Sequence, residues 1–141
     1  MTDDRLFGFA NALPLVGWFA LLMAPLARSK LIAAARVVAV VLAGSYVVGI
    51  AAALTAGGGP MLDLTTLSGL AHAFSMPRVM LVGWVHYLAF DLWVGAWEAE
   101  EAGRRGVPHA ALVPCLILTF LAGPVGLLLF LVLRAKWRPS A

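Results

Sequence analysis

Between Gly83 and Gly95 an otherwise apolar run carries two titratable side chains, His86 and Asp91, within about one helical turn of its centre. Trp84, Tyr87, Phe90 and Trp93 stand around them. This is the material of proton transfer: a carboxyl kept from water holds its proton more tightly and can act as a proton donor. The arrangement is costly in a membrane. An aspartate at the centre of a spanning helix costs about 3 kcal/mol or more on insertion. Each Leu, Ile, Val or Phe returns only about 0.3 to 0.6 kcal/mol. The eight such residues between Val79 and Trp97 therefore roughly offset one aspartate, and the segment must be buried among neighbours.

At about 100° per residue the segment divides into two stripes. Asp91 shares one with Trp84, Tyr87, Gly95 and Glu98, while His86 lies about 140° away with Phe90, Trp93 and Trp97. A direct His86–Asp91 bond is thus disfavoured, and each group needs a partner from another helix, from water or from a ligand. Asn11, Ser45, Tyr46, Thr55 and Thr119 are the polar residues available in other apolar runs. Interhelical hydrogen bonding alone is the plainer explanation of a lone intramembrane His or Asp. Two such groups on one helix with an aromatic surround favour a site.

The elements that hold this segment follow from composition. The chain has 141 residues, of which 62% are hydrophobic and 12% charged, with a mean hydropathy of +0.95. Soluble domains are about half apolar and about a quarter charged, so a water-soluble globule is excluded. A single domain is expected, all-α and integral to the membrane. Its four transmembrane helices fall near residues 6–26, 37–56, 79–97 and 110–133, with a short interfacial amphipathic helix near 64–75. The first run follows Asp3, Asp4 and one Arg, unlike the basic start of a signal peptide, and reads as a retained span. Gly57, Gly58, Gly59 and Pro60 should stop the second. The segment from Leu64 to Ser75 reaches only about 18 Å as a helix, against about 30 Å of hydrocarbon. Its apolar face is Leu64, Leu67, Leu70, Ala71 and Phe74, opposite Thr65, Ser68, His72 and Ser75. Pro114 and the Gly123, Pro124, Gly126 cluster should kink the last helix.

Ten Lys and Arg against seven Asp and Glu leave a net charge of +3. The basic residues sit in small groups beside apolar runs, a placement that suits topology signals and lipid headgroups and points to no nucleic acid partner. Four alternating spans divide them evenly, with Arg28, Lys30, Arg36, Arg104 and Arg105 on one side and Arg5, Arg78, Arg134, Lys136 and Arg138 on the other. Orientation is thus unassigned. Trp18, Trp97 and Trp137 read as interface anchors, His72 as solvated, His109 as a helix-start residue and Cys115 as a small packing residue. The His and carboxylate spacing matches no established zinc pattern, and the sequence names neither a metal nor a cofactor.

The run from Gly83 to Gly95 resembles the ABA4-like family, small membrane proteins named after the plant abscisic-acid-deficient 4 protein, which is associated with making neoxanthin from violaxanthin. The stretch from Gly106 through Pro108, His109, Pro114, Cys115, Thr119, Gly123, Pro124 and Gly126 to Leu129 supports the likeness, as does a first span with Asn11, Trp18 and Pro25. The resemblance implies four spans and a carotenoid or related isoprenoid ligand. It also implies a carotenoid isomerase-type reaction on an epoxide, with Asp91 as acid and His86 as base or the two roles exchanged, which calls for no redox cofactor. His86 and Asp91 are its matching polar positions, with Trp84 and Tyr87 as aromatic neighbours, and Phe90, Trp93, Asn11 and Glu98 complete the expected substrate-binding set. Because the chain starts almost directly at its first span, without a plastid transit segment, a bacterial member in the inner (cytoplasmic) membrane is expected. The alternative is a non-enzymatic pigment- or lipid-binding subunit, as a homo-oligomer or within a pigment–protein complex.

Overall fold

The computed structural model describes residues 3–55 and 63–137. The glycine run expected to end the second span lies outside the described residues. The helices are α1 (Asp3–Leu22), α2 (Arg28–Thr55), α3 (Leu67–Ser75), α4 (Pro77–Arg105) and α5 (His109–Arg134), with a short 3-10 turn, Ala24–Leu26, after α1. No strand occurs among the described residues. As expected for an all-α membrane protein, α1, α2, α4 and α5 are each long and apolar enough to cross a bilayer. Large apolar side chains such as Phe9, Val16, Phe19, Val48, Leu121 and Val132 face outward from the bundle.

Two helices are longer than the apolar runs that announce them. α2 begins at Arg28 rather than after Arg36, because Arg, Lys and Ala are all good helix formers and the basic connection simply becomes the first two turns. α4 continues through Glu98–Arg105, beyond the span expected to end near residue 97. Glu101 supports those turns by pairing with Arg104 at 3.8 Å and Arg105 at 2.5 Å. The helix starts with Pro77 in its first turn and stops at Gly106, whose φ of 70° permits the left-handed C-cap that returns its N–H to the carbonyls of Ala102 and Gly103.

α1 and α4 run in the same direction: Asn11 meets Trp84, and the Trp18 ring packs against Gly95. α2 runs the other way, so that Tyr46 meets His86 and Arg36 reaches Glu100. Alanines at 35, 39, 96, 99 and 102 are buried in the seams and let the backbones approach. The α3 helix lies against the start of α4, with Phe74 beside Gly83. Thr66 caps it by accepting the Gly69 N–H at 3.1 Å, which sets its start at Leu67, three residues later than the amphipathic pattern suggests. Leu67 is 84% exposed, leaving an apolar edge free for lipid.

The kink expected at the Gly-Pro-Gly cluster is a reversal. Ala122 leaves helical geometry (φ −155°, ψ 67°), nearly the same backbone break that Ala27 makes where α1 gives way to α2 (φ −159°, ψ 66°). Beyond it the second arm of α5 returns beside the first. Gly126 comes against the backbone of Thr119 and the carbonyl of Cys115, where any side chain would collide. Along α4, the first arm meets Glu98 through Thr119 and Asp91 through Gly123. The second arm then passes Trp97 through Phe130 and Glu101 through Arg134. Both ends of α5 therefore lie at the end of the bundle that holds the α1–α2 turn. His109, at the start of α5, fastens that end by donating from Nε2 to the Leu22 carbonyl at 2.9 Å, one of the orphan acceptors at the end of α1.

Candidate functional site

The two stripes of α4 face different neighbours. On the α5 and α1 side, Asp91 packs directly on Gly123, whose missing side chain is the space its carboxylate occupies. Tyr87 stands one turn before Asp91 on the same stripe of α4. Trp84 stacks on Tyr87 at 5.3 Å between ring centroids and donates from its indole N–H to Asn11 Oδ1 at 2.9 Å. Asn11 in turn donates to the carbonyl of Phe7 at 2.8 Å. The result is a continuous line from α1 through the aromatic pair to Asp91 at the tip of the α5 hairpin. Asp91 Oδ2 is buried and lacks a hydrogen-bond partner among the described residues. A buried carboxylate oxygen without a donor is where a ligand hydroxyl or a water is needed.

Two turns along the same stripe, Glu98 is fully enclosed, with 0% exposure. It is held by the Thr119 hydroxyl, 3.0 Å from Oε1 and 3.1 Å from Oε2. The sequence placed Glu98 on the Asp91 stripe and Thr119 among the available polar partners, but their pairing depends on the course of α5.

His86, Phe90 and Trp93 occupy the other stripe, toward α2, and all three are exposed on the outside of the bundle. The His86 ring stacks on Phe90 at 4.6 Å and meets Tyr46 at 5.2 Å. Trp93 lies under the Arg36 guanidinium at 5.7 Å. The structure thus gathers Asn11, Trp84, Tyr87, Asp91 and Glu98 along one face and sets His86, Phe90 and Trp93 apart from them. Of the other polar candidates, Ser45 donates to the Leu42 carbonyl within its own helix at 2.7 Å. Among the described residues no group of three or more His, Cys, Asp or Glu is placed to hold a metal.

A hollow of about 320 Å³ opens between α1, α2 and α4, walled by Phe9, Leu13, Val41, Tyr46, Leu81 and Val85. It is almost wholly apolar, the kind of surface a hydrocarbon chain would cover.

Residues 5–130 match the family model described as ABA DEFICIENT 4-like. No curated protein and no solved structure matches the chain.

Proposed function

The chain belongs to the ABA4-like family, and from that premise we propose that it is a membrane protein that binds a carotenoid or related isoprenoid and isomerises it, with Asp91 as the proton donor. The observation that carries the proposal is the unpartnered Asp91 oxygen at the tip of the α5 hairpin, beside the Tyr87–Trp84 stack. A polyene lies well against stacked aromatic rings, and an oxygen on its end group would complete the carboxyl's hydrogen bonding. Isomerisation of an epoxide delivers one proton to oxygen as the C–O bond opens and removes one from carbon as a new double bond forms. The formula is unchanged and no oxidant is consumed. His86, the base expected from sequence, faces α2 and the outside of the bundle, so the reading centres on Asp91.

A second reading is favoured by the outward aromatic face formed by Tyr46, His86, Phe90 and Trp93: a pigment-binding subunit that performs no chemistry. Expression in a carotenoid-producing host separates the two. Extracted pigments are compared for the wild type, Asp91→Asn and His86→Ala, and the visible spectrum of each purified protein is recorded. The isomerase reading expects a changed pigment profile that Asp91→Asn abolishes and His86→Ala leaves largely intact. Pigment that copurifies unaltered, and is lost on His86→Ala, establishes the binding subunit instead. An unchanged profile with colourless protein removes the carotenoid assignment.

A further inference from the structure

At the end of the bundle away from the N-terminus of α1, an open groove of about 940 Å³ lies between the start of α2 and the last turns of α4. Its lining includes the cationic Arg28, Lys30 and Arg36 from α2 and Arg104 from α4, together with Ser29. Ile32 and Ala33 are apolar members of the same lining. Glu100 is the one carboxylate in the lining, and it is already bound by Arg36 at 2.7 and 3.3 Å. Arg104 lies 3.8 Å from Glu101, a carboxylate shared with Arg105 and Arg134. Arg28 is laid across α4 onto Gly103, its guanidinium against the glycine backbone. With Arg36 bound to Glu100 and Arg104 near Glu101, Arg28 and Lys30 carry the excess positive charge of the lining, a site for an anion, and the apolar Ile32 and Ala33 in the same lining suit an amphiphile better than a free ion.

The reversal of α5 supplies the second argument. It brings the basic end of that helix to the same end of the bundle as the α1–α2 turn. Among the described residues Arg28, Lys30, Arg36, Arg104, Arg105, Arg134 and Lys136 then lie at one end, against Arg5 and Arg78 at the other. A single crossing by α5 would instead divide the basic groups evenly. Lys and Arg excess marks the cytoplasmic side of a membrane protein, and in that leaflet anionic lipids draw basic groups, at about 1 kcal/mol per residue near the surface. We propose that this groove binds the phosphate headgroup of an anionic lipid of the cytoplasmic leaflet, with the acyl chains descending past Ile32 and Ala33.

Full-length protein in a neutral detergent, titrated with dioleoyl-phosphatidylglycerol or dioleoyl-phosphatidylcholine and read by native mass spectrometry, tests this. The glycerol lipid should be retained about tenfold more tightly than the choline lipid. Combined Arg28→Gln and Lys30→Gln substitution should weaken that affinity by about thirtyfold, while Arg5→Gln at the opposite end leaves it within about twofold. Thermal melting of each variant checks that it remains folded, and the comparison of lipids on the wild type decides the matter even if the double variant does not fold. Equal retention of the two lipids, or full retention by a folded double variant, overturns the proposal. Displacement of bound phosphatidylglycerol by an equal concentration of inorganic phosphate would assign the groove to a free anion and overturn the lipid.

Discussion

Glu98 and Thr119 are the buried polar side chains of the described core, and each depends on the other. One hydroxyl between two carboxylate oxygens is little compensation for removing that group from solvent, and without it the carboxylate has no hydrogen-bond donor among the described residues. Thr119→Val keeps the volume and deletes the donor, so it should destabilise the protein by about 1 to 3 kcal/mol. Thr119→Ser should restore most of that loss. Unfolding midpoints in detergent measure both, and a Val variant as stable as the wild type would show that Glu98 finds another partner. The signal for Glu98 was in the sequence, seven residues beyond Asp91 and hence on the same stripe. Glu100 and Glu101 stand beside it, so that three carboxylates fall within four residues at the polar end of α4. What separates them is facing: Glu100 turns to Arg36 and Glu101 to Arg105 and Arg134, whereas Glu98 turns inward. Asn11 illustrates the opposite difficulty, since its polarity was evident and its choice of Trp84 over any charged group was not.

At the scale of the element, hydropathy reveals where helices lie, and local capping chemistry decides where they begin and end. The start of α3 is an example. Asp63 accepts from the Thr65 hydroxyl at 2.6 Å, the Thr66 hydroxyl at 2.7 Å and the Thr65 N–H at 2.9 Å. These bonds, the Thr65 side chain foremost, hold its carboxyl well below the usual 3.8, at about 2. The group is depressed in the folded state, so its contribution is fully present above about pH 4 and is lost as pH falls through about 2. Exchange of the Gly69 amide, which the same turn protects through Thr66, should accelerate over that window and remain flat from pH 4 to 7 after correction for intrinsic exchange. An Asp63→Asn variant should show no such step. The Thr-Thr pair after an aspartate is a capping signal, but it lies inside a stretch whose apolar spacing already looks helical, and there the periodicity is the weaker guide to the boundary.

For the molecule as a whole, the decisive feature is the direction of the second arm of α5. Pro124 between two glycines announces a break, yet sequence cannot distinguish a bend from a reversal, because either relieves the lost backbone bond and both leave the apolar length unchanged. The distinction rests on contacts that no local pattern encodes: Gly126 against Thr119, Phe130 against Trp97, Arg134 against Glu101. Each arm is about half the length of α5, roughly 20 Å, and so falls short of about 30 Å of hydrocarbon. Non-helical backbone at such depth is tolerated where protein covers it, and α4 supplies that cover with Tyr87 and Asp91. The consequence concerns topology. A hairpin leaves the two ends of the chain on opposite faces of the membrane, and a single crossing leaves them on the same face. In a Cys115→Ser background, Asp4→Cys should react with a membrane-impermeant maleimide on intact cells, whereas Ala135→Cys should react only after permeabilisation. Equal reactivity at the two positions, whether both labelled or both protected, would mean that α5 crosses once, and it would also return the basic residues to an even division between the faces. The unequal pattern would place Asp91 at the tip of a structure entered from the cytoplasmic side, so that a ligand's polar end group reaches it from within the membrane, along the Trp84–Tyr87 stack.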